Sequence, residues 1–370
     1  MADDLKRFFD RALVARIADD IARAWSAFPA ARFVDDASRE LPSLELIARA
    51  QRIADALAAH LPPDFPAAAE ILVSSLGPPS DRDDLVGGGM TPFFYLPHTR
   101  FVAARGLDHV DLALDAQHAL TQRFSCEFSI RAFIARHPEA TFARLARWVA
   151  DPSPHVRRLV SEGTRPRLPW GARVAFLDAH PERALALLEA LRDDPSPMVR
   201  RSVANHLNDL TKTHPDLTFA VCARWLVDAP PERRALVTHA LRSAVKRGDA
   251  RALGLMGHGE RAEVRVTDGR CAPARVPIGG RVTITATVTS VAARAQSLNV
   301  DLEVRFVKAR GTSPKVFKVT RATLAPGASL AVSKSVSLAV HTTRTPRPGR
   351  HEVALRINGA THPLGSFEVT

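Results

Sequence analysis

The stretch DPSPHVRRLV at residues 151–160 returns as DPSPMVRRSV at 194–203, an offset of 43 residues. The same order of signals surrounds each copy. A His-Pro-acid triplet stands upstream, at His137, His180 and again at His214. A helical stretch leads from it to Trp148, Leu191 or Trp225. An Asp-Pro turn follows, then a second helix carrying VRR or, in the third unit, ERRALV. A period near 40 residues with helix, Asp-Pro turn and helix is the signature of HEAT-type repeats. Proline cannot continue a helix interior, so Pro152 and Pro195 suit the turn. Pro154 and Pro197 suit the first turn of the second helix, where a missing N–H is harmless.

Upstream of the repeats the chain also reads as helix. Leu5, Phe8, Phe9, Ala12, Leu13, Arg16 and Ile17 follow the i, i+3, i+4 spacing of one buried face, and Leu44, Ile47, Ala48, Ile53, Ala54 and Leu57 do much the same. The segment 85–100 (LVGGGMTPFFYLPHTR) breaks that spacing with three glycines and two prolines, which predicts a loop packed down by its aromatics. After residue 258 the period becomes two. Val282, Ile284, Ala286 and Val288 alternate with Thr283, Thr285, Thr287 and Thr289. Similar segments at 298–307, 315–320, 330–340, 351–357 and 364–369 are separated by Pro-Gly turns such as Pro326-Gly327. Six or seven short strands in about 110 residues predict an antiparallel sandwich of immunoglobulin-like size. The expected architecture is therefore multidomain. An all-α HEAT-like repeat solenoid over 1–258 is followed by an all-β immunoglobulin-like sandwich over 259–370, with the glycine-rich GLMGHG at 254–259 as linker.

Composition narrows the function. Hydrophobic residues make up 46% of the 370, enough for a sizeable core. Cys126, Cys222 and Cys271 are far apart with no CxxC pair, which excludes a disulfide framework and a cysteine-rich zinc site. No apolar run approaches the roughly 18 residues of a membrane helix, and MADDLKRFFD lacks the apolar core of a signal peptide. A soluble, cytoplasmic protein with no membrane partner is expected. The net charge of +12 is uneven. Residues 1–116 hold 12 Lys and Arg against 18 Asp and Glu, residues 117–259 hold 22 against 14, and residues 260–370 hold 17 against 7. A basic excess confined to the repeats and the C-terminal third is the footprint of a polyanion partner. The plainer reading is that a high-GC genome enriches arginine and the charge only aids solubility.

The second helices of the repeats should line the concave side of a solenoid. Val199, Val203, Leu207 and Leu210 form one buried stripe, with Arg201, Asn205, Asn208, Asp209 and Lys212 on a polar face. Val156 and Val160 leave Arg158, Ser161, Glu162 and Arg165 outward. Three residues on this surface stand out. Glu127 lies in FSCEFSIRAFI, with Arg123 at i−4 and Arg131 at i+4, so an ordinary helical ion pair is one reading. Trp170 follows RPRLP at the expected start of a helix, and could be core, as Trp25, Trp148 and Trp225 are expected to be. Asp209, in NHLNDL, could be a solvated polar-face residue. The alternative reading joins them. A tryptophan face attracts a cation, and carboxylates stabilise an oxocarbenium-like sugar and orient a water toward it. GxGxxG, P-loop, HExxH and GxSxG motifs do not occur. The regular placement of His137, His180 and His214 before proline indicates a turn-forming role.

With these residues in view, FSCEFSIRAFI, DPSPHVRRLVSEGTRPRLPW and DPSPMVRRSVANHLNDLTKTHPD resemble the bacterial AlkC family of DNA alkylation repair proteins, HEAT-like-repeat DNA glycosylases. The resemblance covers essentially all of 1–258, and the size and strand pattern of 260–370 match a subgroup with a C-terminal immunoglobulin-like domain. It implies a monofunctional glycosylase of base excision repair that excises cationic 3-methyladenine, and also 3-methylcytosine, from double-stranded DNA without full base flipping. It implies Glu127 and Asp209 as the carboxylates at the lesion, Trp170 as the aromatic beside it and Glu162 as a further acid of the cluster. Arg158 and Arg165, with Arg201 and Lys212 of the second repeat, are expected to bind the DNA backbone. No cofactor or metal is expected, and the protein should act as a monomer. A non-catalytic HEAT-repeat protein that binds DNA structure is the alternative, predicting tight binding without base release. A HEAT scaffold for protein partners is a further one, predicting no salt-sensitive DNA affinity.

Overall fold

A computed structural model describes residues 6–80, 91–259, 261–341 and 345–370. They divide into two compact units, residues 1–215 with 229–240, and residues 216–228 with 241–370. The first helices described from end to end are α1 (Arg11–Ala24), α2 (Ala30–Ser38), α3 (Leu46–His60), α4 (Phe65–Ser74), α5 (Leu96–Arg105) and α6 (Val110–Thr121). The apolar spacing predicts a helix running from Leu5 through Ile17. Instead the run is interrupted: residues 6 and 7 are helical, residues 8–10 turn, and α1 starts at Arg11, where the Asp10 carboxylate caps the Leu13 N–H at 2.8 Å; Leu5 lies outside the described residues. The predicted loop at 85–100 is helical in its second half. Residues 91–95 make a 3-10 turn that feeds α5, with Pro97 in the first turn, where proline is tolerated. Residues 85–90 lie outside the described residues.

The repeats follow as α7 (Ile130–Arg136), α8 (Pro138–Trp148), α9 (Pro154–Gly163), α10 (Ala175–Ala179), α11 (Pro181–Leu191), α12 (Pro197–Leu210), α13 (Pro215–Leu226) and α14 (Pro231–Ala240). His137 and His180 share one backbone conformation, at φ −135°, ψ 60° and φ −125°, ψ 59°. Their N–H groups, like that of His214, close the preceding helix on Phe133, Phe176 and Leu210. The following proline opens the next helix. These histidines are turn formers, as their spacing predicts. The Asp-Pro turns are equally regular. Asp151 accepts from the Ser153 N–H at 2.8 Å, and Asp194 from that of Ser196 at 2.9 Å. The first arginine of each VRR turns back onto this turn. Arg157 donates to the carbonyls of Asp151 and Pro152, Arg200 to those of Asp194 and Pro195, and Arg234 to that of Ala229. Arg157 also joins one repeat to the next through the buried Asp194 carboxylate, at 2.6 and 3.0 Å. The second helices form a continuous row, α9 packing on α12 and α12 on α14.

In the other unit, α15 (Arg242–Arg247) and α16 (Ala250–Leu255) lead into eight strands: β1 (Val264–Ala272), β2 (Arg275–Val276), β3 (Arg281–Ser290), β4 (Gln296–Val307), β5 (Thr312–Leu324), β6 (Ser329–Ser337), β7 (Gly349–Ile357) and β8 (Ala360–Val369). A three-stranded sheet β1-β3-β6 faces a five-stranded sheet β2-β8-β7-β4-β5. Six of these strands coincide with the period-two segments; β1 and β2 are additions. Gly254 lies inside α16 rather than in a linker. Val282, Ile284 and Val288 of β3 meet Leu302, Val304 and Leu355 in the core. On β4 the alternate residues Asn299, Asp301 and Glu303 are buried as well. Arg356, on the neighbouring β7, donates to the carbonyls of Lys246 and Arg247 at 3.0 and 2.9 Å, which ties α15 to this sheet. Gly248 ends α15 at φ 75°, and a Cβ there would collide with the Arg356 guanidinium.

Candidate functional site

The helices α9 and α12 meet on small residues. The Ser161 and Ser202 hydroxyls lie 3.0 Å apart, and the His206 ring contacts the Ser161 carbonyl at 3.0 Å. This close approach brings the C-terminal end of α9 beside that of α12. Arg165, three residues beyond Glu162, therefore reaches carboxylates on both. It donates to Glu162 Oε1 at 2.5 Å, and to Asp209 Oδ2 at 2.9 Å from Nε and 2.8 Å from Nη2. The second Glu162 oxygen accepts from Ser202 at 2.5 Å. Burial alone would raise the Glu162 carboxyl, but Arg158, Arg165 and the Ser202 hydroxyl outweigh it and hold the group below its ordinary value.

Glu127 enters from the turn that precedes α7. Its Oε2 accepts from Ser125 at 2.8 Å and from Arg158 Nη2 at 3.0 Å, while Arg158 Nη1 donates to Ser125 at 2.9 Å. The helical ion pair with Arg123 or Arg131 is not formed. Those guanidiniums are spent on backbone carbonyls, of Gly77 and Ala119 and of Gly163, Arg165 and Ala172. Glu127, Glu162 and Asp209 thus form one acidic cluster, neutralised by Arg158, Arg165 and, at 3.7 Å from Asp209 Oδ1, Lys212. Among the described residues, Glu127 Oε1 and Asp209 Oδ1 accept no hydrogen bond. They are the two acceptor atoms left open.

Several expectations change here. Ser161, Glu162, Arg165, Asn208 and Asp209 are buried, not on an outward face. Helical spacing reads one helix at a time and cannot see a neighbouring repeat packed on that face. Arg165, expected to grip a phosphate, is buried with its guanidinium committed to two carboxylates. Arg158 is half-buried and likewise paired. Arg201 is exposed and makes no ion pair among the described residues, and Lys212 is exposed. Trp148 and Trp225 are core and Trp25 is half-buried, but Trp170 is 71% exposed.

Trp170 does not begin a helix. It is the third residue of a turn closed by Gly171 N–H to the Leu168 carbonyl at 3.0 Å, with Pro169 second. Its φ is 63°, a value that costs a non-glycine residue roughly 1–2 kcal/mol. Glycine is usual at the third place of a turn with a positive φ there. A large, exposed aromatic in that place is a strained feature typical of a site. No hydrogen bond or ring contact holds the indole among the described residues, so its face is available. Spacing did not single out Ser125, Ser202 or His206, and it offered Arg131 only as the i+4 partner of Glu127, because their roles arise from long-range contacts. The His206 imidazole is lowered to about 4 by burial and stays neutral at pH 7. Among the described residues no group of three or more His, Cys, Asp or Glu could hold a metal ion, and no helix is long and apolar enough to cross a membrane.

The uncharacterized protein YhaZ of Bacillus subtilis (strain 168) is 32% identical over 270 residues, covering 73% of this chain and 75% of its own. The solved Pseudomonas fluorescens alkylpurine DNA glycosylase AlkC, bound to DNA containing an abasic site analog, is 35% identical with a TM-score of 0.90 over 99% of both chains. The chain belongs to the AlkC family of alkylpurine DNA glycosylases. The family model for DNA alkylation repair enzymes matches residues 120–247, and that for the C-terminal Ig-like domain of YhaZ matches residues 265–370. Glu127, Glu162, Asp209 and Trp170 all fall in the segment matched by the DNA alkylation repair enzyme model.

Proposed function

We propose that the chain hydrolyses the N-glycosidic bond of cationic N-methylated bases, 3-methyladenine and also 3-methylcytosine, in double-stranded DNA, acting as a monomer and without full base flipping. The observation that carries this reading is the acidic cluster in which all but two carboxylate oxygens are committed. A 3-methylated base already carries positive charge. When its bond to the sugar breaks, the bonding electrons neutralise the base, so no strong general acid is needed. The sugar is left cationic at C1′. Glu127 Oε1 and Asp209 Oδ1 supply negative charge for that cation, an effect worth most where water is excluded.

Asp209 Oδ1 is the better placed to orient the attacking water, because both Glu162 oxygens are already occupied. The water adds to C1′ and its proton passes to the carboxylate and on to solvent, leaving an abasic site. The Trp170 face contacts the cationic nucleotide. Arg201 and Lys212 bind phosphates, and Arg158 and Arg165 hold the carboxylates. Lys212, 3.7 Å from Asp209 Oδ1, serves a phosphate rather than a Schiff base, so the DNA strand stays intact.

The test is base release from duplex DNA containing 3-methyladenine. Free 3-methyladenine should appear with the wild type, and Asp209→Asn or Glu127→Gln should each slow release about 10²–10³-fold. An inactive wild type, or full activity in both variants, overturns the reading.

A further inference from the structure

We propose that Arg131 is the positioning residue for Trp170, an inference that rests on Trp170 contacting the lesion as set out above. Arg131 lies in the first turn of α7 and is 2% exposed. Its Nη1 donates to the carbonyls of Gly163 at 3.0 Å and Arg165 at 2.7 Å, and its Nε to that of Ala172 at 2.8 Å. Two of these carbonyls precede the Leu168–Gly171 turn and one follows it. A single planar group therefore fixes both ends of the segment that carries Trp170. That segment needs fixing, because Trp170 holds a φ of 63° in a place suited to glycine. Packing adds to the constraint: Ile130 lies so close to Gly163 that a Cβ there would come within 2.5 Å of Ile130 Cγ2.

Arg131 also sets Trp170 against the acids. The Ile130 N–H bonds to the Cys126 carbonyl at 3.0 Å, so α7 grows directly out of the turn that bears Glu127. The Arg165 carbonyl held by Arg131 belongs to the residue whose guanidinium holds Glu162 and Asp209. Arg131 thus relates the aromatic and the carboxylates in one frame without touching substrate. Lysine cannot reproduce this, since a point charge on a flexible stem lacks the fixed fork that reaches three carbonyls.

The experiment uses the full chain as wild type, Arg131→Lys, Trp170→Ala and the double variant. Single-turnover release of 3-methyladenine from duplex DNA is followed, together with amide hydrogen exchange. Arg131→Lys should slow release roughly 10–100-fold, the scale of a displacement of about 1 Å at a site. Its double variant with Trp170→Ala should be no slower than Trp170→Ala alone. Exchange should quicken in residues 163–172 in Arg131→Lys. A wild-type rate in Arg131→Lys, or the same fold loss with and without Trp170, overturns the proposal, because independent effects multiply. A wild-type rate in Trp170→Ala instead removes the role of Trp170 on which it rests.

Discussion

In α9 the second arginine of VRR, Arg158, is half-buried against Glu127 and Ser125; in α12 its repeat counterpart, Arg201, stands in solvent without an ion pair among the described residues. The first arginines do the same work in both helices, clasping the Asp-Pro turn. Further along, the copies part. Ser161, Glu162 and Arg165 correspond by the 43-residue offset to Ala204, Asn205 and Asn208, and Asp209 has Pro166 as its counterpart. What recurs holds the repeat together, and what departs from recurrence assembles the acidic cluster. Substitutions in the two helices should separate along that line.

The largest effect is expected at the first arginine of α9. Arg157→Ala removes one partner of a buried ion pair and leaves the Asp194 carboxylate without its guanidinium. Such a loss costs about 3–5 kcal/mol. Arg200→Ala removes bonds to carbonyls only among those described, at about 1 kcal/mol each. Urea unfolding of the two variants measures the difference, and equal losses would remove the asymmetry between the helices.

Next in size is Glu162, which has no acidic counterpart in α12. Glu162→Gln should cost about 1.5–3 kcal/mol at pH 7, the range for hydrogen bonds to charged groups. The cost should depend on pH. Glu162 is held below its ordinary value of 4.5, so its contribution is present above that pH and is lost as pH falls through the lower folded value. The stability gap between wild type and Glu162→Gln should therefore narrow on acidification below about pH 4.5. A gap constant from pH 7 to pH 3 would show that the carboxylate is not held by its charge.

The difference between scaffold and site also sets what could be read from the residues alone. The repeat was legible because its devices are local: Asp-Pro turns, His-Pro junctions and prolines in the first helical turn all act within a few residues. Glu127, Trp170 and Asp209 stand out as acids and an aromatic in a basic, repeating context, and Glu162 joins them through the family resemblance. Their arrangement does not stand out. Arg165 reads as an outward cation until α12 packs beside α9 and takes its guanidinium. Trp170 reads as a helix start because Pro169 is equally at home in a tight turn. Arg131 reads as the i+4 partner of Glu127, whereas its three acceptors lie 32 to 41 residues away in the chain. In the sandwich, alternation gave six strands, but the burial of Asn299, Asp301 and Glu303 depends on the outer face of β4 being covered, which no period-two pattern encodes.

The smallest effect should be that of Arg201, and it sharpens the comparison most. A free, exposed guanidinium can neutralise one phosphate, and each phosphate neutralised contributes about 0.9 to the slope of log affinity against log salt. Arg201→Ala should weaken DNA binding only a few-fold near 0.15 M salt, lower that slope by about one and leave the single-turnover rate of base release unchanged. Arg158 has the same place in its repeat, but its guanidinium is already neutralised by Glu127. Arg158→Ala should therefore leave the slope as it was and slow base release instead, by loosening the carboxylate it holds. If both variants lower the slope equally, the pairing of Arg158 with Glu127 gives way when DNA binds, and the two second arginines do the same work after all.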